Sequence, residues 1–162
     1  MNEITSMRRN VLKHETCANC RICCSFVKND VWEAPVFSEQ EIEEIEKKGI
    51  GRDRFLQQED GNYIAGYDFQ TDTEILLCPC LDEERGCLLG EHKPFECSIW
   101  PLRIFENEKT AYLGLAEICP AFQGEGEKLL IHELEENGLR GRIMALKEKQ
   151  NRMKPEKGYH RV

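Results

Sequence analysis

No stretch of the 162 residues is apolar for long enough to cross a bilayer. Met1 to Thr16 carries Arg8, Arg9, Lys13 and His14 and lacks the apolar run of a secretory leader. Internal repeats beyond the cysteine run and low-complexity linkers are also missing. No Gly-x-Gly-x-x-Gly follows a strand, so a Rossmann-type site for a dinucleotide or S-adenosylmethionine has no support. The four histidines, His14, His92, His132 and His160, fall into no Ser/His/Asp or Cys/His nucleophile set. A net charge of −8 runs against general nucleic-acid binding. The chain is expected to be cytoplasmic, in a reducing compartment, with no membrane association.

Against these absences stands one excess, nine cysteines. In a reducing compartment such usage points to metal or redox chemistry, with disulfides and inert buried thiols as the alternatives. Four of the nine fall within Cys17-Ala-Asn-Cys20-Arg-Ile-Cys23-Cys24. A Cys-x-x-Cys turn brings two thiolates within reach of one metal, and here Cys20 and Cys23 repeat the spacing at once. Adjacent side chains normally point apart. The Cys23–Cys24 doublet is therefore expected to serve two neighbouring sites or a cluster with several irons. The remaining cysteines lie in Cys78-Pro79-Cys80-Leu81, at Cys87 and Cys97, and in Cys119-Pro120. Turns and strand ends surround them, where free amides can donate to thiolates.

The clearest helix opens at Ser38. Ser38 and Glu41 form a capping box, Ile42 and Ile45 an apolar stripe, and Gly49 suits the C′ position. The acidic face of Glu39, Glu41, Glu43, Glu44 and Glu46 reads as solvated surface. Strands are expected over 62–70 and 74–77, and a hairpin over 102–106 and 111–118. A second helix is expected over 127–137, with Leu129, Leu130 and Leu134 on one face and His132 as a packing residue. Helical character resumes over 139–153, and Pro155 closes it. The fold class is α+β: a small irregular metal-stapled domain with short strands, a β-hairpin and two or three helices. Its expected parts are a lead-in (1–16), a cysteine-cluster domain (17–138) and a basic helical tail (139–162). That tail carries eight Lys/Arg against two Asp/Glu, which leaves −14 on the rest of the chain.

The order Cys-x-x-Cys-x-x-Cys-Cys, Cys-Pro-x-Leu, Cys, Lys-Pro-x-x-Cys-x-x-x-Pro and a late Cys-Pro resembles the YkgJ-type cysteine-cluster proteins. The family is described as a zinc- or iron-chelating domain and includes the domain found in flagellin lysine N-methylases. The resemblance runs from Cys17 to about Gly126, about two thirds of the chain. It implies metal ligation by Cys17, Cys20, Cys23, Cys24, Cys78, Cys87, Cys97 and Cys119. Eight thiolates divide into two four-coordinate sites. Cys80 stands where the family usually has a small or apolar residue and reads as a buried free thiol. The chain departs from the family at Gly90, usually tyrosine, and at Lys93, usually arginine. Lysine keeps the charge and loses the bidentate fork, which suffices if the residue only packs or pairs with the cluster's charge.

Ligand identity alone does not separate zinc from iron–sulfur, since both accept four thiolates. The doublet departs from the ferredoxin run, and the radical-SAM Cys-x-x-x-Cys-x-x-Cys spacing is absent. An iron–sulfur cluster is put ahead of zinc, and zinc stays open. His92 reads as a solvated turn residue and Trp100 as a shield for the metal. Gly124-Glu125-Gly126 opens a helix, but Glu125 and Glu127 would repel a phosphate there. Two further readings accompany simple metal binding. One is a lysine N-methylase-like enzyme or component, and the other is a structural zinc module that holds a protein partner through the basic tail. Whether the chain is an enzyme, and its oligomeric state, are not legible.

Overall fold

The computed structural model describes residues 14–27, 34–65, 75–82, 84–150 and 156–162. It is α+β, with short helices and small antiparallel sheets. Backbone packing divides the chain into two compact units, Cys17–Cys97 and one that contains Ser98–Val162. The division falls inside the range 17–138 expected as one domain. Five α-helical segments occur among the described residues, against the two or three expected. The excess is in short ones: α1 (His14–Cys20) and α3 (Phe95–Ile99) have no long apolar periodicity to announce them, while α5 (Leu139–Met144) falls within the helical stretch expected over 139–153. No helix among the described residues is long and apolar enough to cross a membrane.

In Cys17–Cys97, α1 passes through a 3-10 turn (Ile22–Cys24) into β1 (Ser25–Val27). This segment pairs antiparallel with β5 (Ile75–Leu77), Ser25 opposite Leu77. A three-stranded sheet follows in the order β2 (Val36–Phe37), β4 (Tyr63–Ala65), β3 (Phe55–Gln57). Of the strand expected over 62–70, residues 63–65 are seen, and 66–74 lie outside the described residues.

Helix α2 (Glu39–Lys47) forms as its sequence dictates. The Ser38 N–H donates to Glu41 Oε2 (2.7 Å) and the Glu41 N–H to Ser38 Oγ (3.3 Å), closing the capping box. Ile42 and Ile45 are buried with Phe37, Ile50, Phe55 and Tyr63. Phe37 meets Phe55 edge to face at 5.2 Å. Cys78, Cys80 and Leu89 complete the same cluster, so the apolar core runs directly into the thiols.

The acidic face of α2 is not wholly idle. Arg52 donates to Glu39, to Glu46 Oε2 (3.0 Å) and to the Tyr63 hydroxyl (3.0 Å). That hydroxyl in turn donates to Glu39 Oε2 at 2.6 Å. Tyr63 first, and Arg52 second, hold the Glu39 carboxyl below the usual carboxylate range. A depressed folded value contributes stability above the unfolded pKa, about 4.3, that is lost as pH falls through the folded value. The Tyr63→Phe chain is expected to titrate Glu39 at higher pH than wild type, read from the carboxyl carbon shift by NMR. An unchanged titration would show that the hydroxyl does not set it.

In the second unit, β8 (Leu102–Glu106) and β9 (Ala111–Ala116) form the expected hairpin, Leu102 opposite Leu115 and Glu106 opposite Ala111. A third strand was not foreseen: β10 (Tyr159–Arg161) pairs with β9, Tyr159 opposite Ala116. Helix α4 (Glu125–Glu135) packs on α5 and on the 3-10 turn Pro120–Phe122. Leu130 and Leu134 are buried, whereas Leu129 is 56% exposed and His132 is also exposed, so neither packs as expected. The observed core face of α4 follows the i, i+4 spacing and leaves both outside it.

The basic tail is folded onto its own unit. Helix α5 buries Leu139 and Ile143 and ends at Met144, and 151–155 lie outside the described residues. The Gln150 amide exchanges two hydrogen bonds with the Ile104 backbone, N–H to Oε1 at 2.9 Å and Nε2 to O at 2.7 Å. It thereby occupies the open edge of β8 as a strand would. His160 Nε2 lies 2.7 Å from Glu127 Oε1, tying β10 to α4.

Candidate metal centre

The first Cys-x-x-Cys is helical rather than a loop. Cys17 and Cys20 are three apart on α1, on one helix face, Cys17 half-buried and Cys20 exposed. Arg21 ends the helix in the left-handed conformation, φ +58°, and its N–H donates to the Cys17 carbonyl (3.1 Å). The Cys24 N–H then donates to the Arg21 carbonyl (3.0 Å), and the Ser25 hydroxyl to the same oxygen (2.9 Å). These bonds fold 22–24 into the tight turn that carries the doublet.

In that turn the Cys23 and Cys24 side chains do not point apart as expected. Their sulfurs lie 3.9 Å apart, on the same side of the chain. Extended backbone would have separated them, but the 3-10 turn does not impose strand alternation. The Cys78 N–H donates to the Cys24 carbonyl (2.8 Å), which extends the β1–β5 ladder and sets the second cysteine group beside the first.

Cys78 and Cys80 are buried, on the turn that leads from β5 into the small hairpin of β6 (Leu81–Asp82) and β7 (Gly86–Cys87). The Leu81 N–H donates to the Cys78 carbonyl (2.9 Å) and the Leu88 N–H to the Cys80 carbonyl (2.9 Å). Asp82 closes the hairpin by accepting from the Glu84 and Arg85 N–H groups (3.0 and 2.8 Å). Cys87 and Cys97 are half-buried, Cys97 on α3.

These thiols act on one another. The Cys24 thiol is pushed far up by its hydrogen bond to Cys23, by burial, and by the like charges of Cys23, Cys78 and Cys97. Cys78 is raised by its contact with the Cys80 thiol, by burial and by Cys80's charge, against which the Cys80 N–H pulls down. Burial raises Cys87, opposed by the Lys93 ammonium and the Leu89 N–H and reinforced by Cys78 and Cys23. Lys93 thus supplies positive charge to a thiol of the group, a role for which lysine serves as well as arginine. Buried thiols of like charge do not ionise together without a cation among them.

Five of the eight expected ligands, Cys23, Cys24, Cys78, Cys87 and Cys97, are therefore gathered in Cys17–Cys97. Cys80, read from sequence as a buried free thiol, is buried and packs in the same cluster as Cys78, with Cys24 and Cys87 against it. Among the described residues no three His, Cys, Asp or Glu side chains form a ready-made metal cage. The donor set fits a thiophilic metal in kind, with contacts made pairwise. His92 is exposed on its turn.

Cys119 belongs to the other unit, buried where β9 gives way to the Pro120–Phe122 turn. Its N–H donates to the Ala116 carbonyl (3.3 Å) and its carbonyl accepts from the Phe122 N–H (3.3 Å). The Gly-Glu-Gly sequence that follows serves packing. Gly124 has φ +58° and ψ −116°, a conformation open to glycine, and a Cβ at Gly126 would lie 2.0 Å from the Ala121 carbonyl oxygen. Gly126→Ala is expected to cost about 1–3 kcal/mol, because backbone rather than a flexible side chain must give way. Urea unfolding with an unshifted midpoint would contradict this. Trp100 is half-buried, and within its unit the buried Arg103 guanidinium lies over its ring at 5.1 Å.

Comparison with protein-family models, with curated proteins and with solved structures found no match.

Proposed function

We propose that the chain binds metal through cysteine thiolates, as iron–sulfur cluster or zinc, in the manner of the YkgJ-type family it resembles. Cys17, Cys20, Cys23, Cys24, Cys78, Cys87, Cys97 and Cys119 are the proposed ligands, and the cytoplasm the proposed compartment. The observation that best supports this reading is the thiol gathering in Cys17–Cys97, above all the 3.9 Å between the Cys23 and Cys24 sulfurs. A tetrahedral site with metal–sulfur bonds near 2.3 Å sets its sulfurs about 3.8 Å apart. The doublet is thus spaced as two ligands of one metal. This suits zinc, or an iron that takes two thiolates, better than a four-iron cluster in which each iron takes one.

A bound metal would supply the positive charge that lets these thiols ionise and, if iron, a redox couple. The chain's own part is to hold sulfurs close through the Arg21 turn and the Cys24–Cys78 backbone bond. Lys93 adds a fixed cation beside Cys87. Because such binding is coupled to folding, stripping the metal with a strong chelator is expected to lower the thermal midpoint by on the order of 10 °C. A midpoint that stays put after complete removal would count against the staple.

The lysine N-methylase alternative rests on the resemblance alone, and methyl-donor binding separates it. The basic-tail alternative gains nothing from the fold. Arg140 donates to the Val162 carbonyl (2.9 Å), Lys147 pairs with Glu106 (2.6 Å) and Arg161 lies over the Tyr112 ring (4.6 Å).

A further inference from the structure

The resemblance leaves Cys80 outside the ligand set, yet Cys80 is packed among cysteines that are inside it. Cys80 is 1% exposed and sits in the packed cluster that contains Cys78 and touches Cys24 and Cys87. Cys78 and Cys80 are both buried, two residues apart across Pro79. Both residues are held by backbone bonds, Leu81 N–H to Cys78 and Leu88 N–H to Cys80, so the pair is fixed by the turn and by the strand end after Cys87. Cys17–Cys97 alone contains eight of the nine cysteines once Cys80 is counted.

We propose that Cys80 is a metal-ligating thiolate that shares a metal with Cys78. The proposal rests on the metal-binding reading above and extends its ligand set by a residue the family pattern does not include. Each ligand forms a sulfur–metal bond as its thiol gives its proton to solvent, with no change of oxidation state. The competing role is a small apolar packing residue, which would need burial but no metal.

The test is anaerobic titration of the reduced, metal-free full-length chain with cobalt(II), comparing wild type with Cys80→Ser and Cys80→Ala. Thiolate-to-cobalt absorption counts the sulfurs on the metal. Loss of one sulfur from a four-thiolate site is expected to remove about a quarter of that site's absorption. Affinity there is expected to fall at least roughly 10–100-fold, the cost known for losing even a supporting partner. Wild-type intensity and affinity in both variants would overturn the proposal while leaving the metal-binding reading intact. No thiolate absorption in wild type would overturn that reading, and the role of Cys80 with it.

A second measurement covers variants that fail to fold. The wild-type chain, metal-free and cobalt-loaded, is alkylated at a urea concentration where the metal-free form labels Cys80. Protection of Cys80 together with Cys78 on loading is the expected result. Labelling of Cys80 while Cys78 stays protected would overturn the proposal.

Discussion

The Cys24→Ser chain, purified without oxygen, is expected to retain no more than about half of the wild-type metal, one four-thiolate site of two being disabled. The substitution barely alters volume and leaves the Cys24 carbonyl free to accept the Cys78 N–H, so the β1–β5 ladder is not its target. What changes is the donor. A serine hydroxyl does not ionise near neutral pH and offers a hard oxygen where a thiophilic metal takes soft sulfur. Because Cys24 lies 3.9 Å from Cys23 and feels the charges of Cys78 and Cys97, its loss falls on the centre of the group. The melting midpoint is expected to drop toward that of the metal-free form, since binding and folding are coupled. Full wild-type metal content in this chain would show that the doublet does not hold metal.

The second large effect lies in the other unit and involves no metal. Gly114→Val is expected to destabilise by about 3 kcal/mol, although strand propensity alone favours valine over glycine. Gly114 sits mid-strand in β9, with Arg103 of β8 on one side and Arg161 of β10 on the other. A Cβ there would meet the Phe105 ring at 2.5 and 2.9 Å and the Tyr159 Cβ at 3.3 Å. The ring has nowhere to retreat: Phe105 is 2% exposed, 5.3 Å from Tyr159 edge to face and 5.8 Å from Tyr112. Overpacking costs about 1–3 kcal/mol, and each disturbed aromatic pair about 0.5–1.5 kcal/mol. Urea unfolding would read the loss as a lower midpoint. The double variant Gly114→Val with Phe105→Leu should lose less than the two single variants added, since the collision is shared. Simple additivity would place the cost elsewhere.

Where local chemistry decided the structure, the sequence could be read directly. The Ser38–Glu41 box, the Ile42/Ile45 stripe and the hairpin around Asn107–Thr110 need only near neighbours, and they formed as expected. Elements set by distant partners could not be read this way. Nothing in Tyr159-His160-Arg161 announces a strand until β9 offers its edge, and the Gln150 amide is visible as a strand substitute only beside Ile104. Leu129 looked apolar enough to pack, but whether a helix face is covered depends on what lies against it.

The candidate centre divides along the same line. The cysteines themselves were legible, as was the turn-rich setting of Cys78 and Cys87. Their mutual placement was not. The rule that neighbouring side chains diverge holds for strands, and the left-handed Arg21 followed by a 3-10 turn set it aside at Cys23 and Cys24. Cys80 is buried as its sequence suggested, but its packing beside Cys78, Cys24 and Cys87 is a matter of distant neighbours that no pattern of spacing records.

The most direct test of the central claim is the metal and acid-labile sulfide content of the wild-type chain purified without oxygen, taken with its visible spectrum. The account predicts bound metal at thiolate sites. Either iron with matching sulfide and broad brown absorption, or zinc without sulfide in a colourless sample, satisfies it. Neither metal, with all nine thiols titrating as free cysteines, would contradict it.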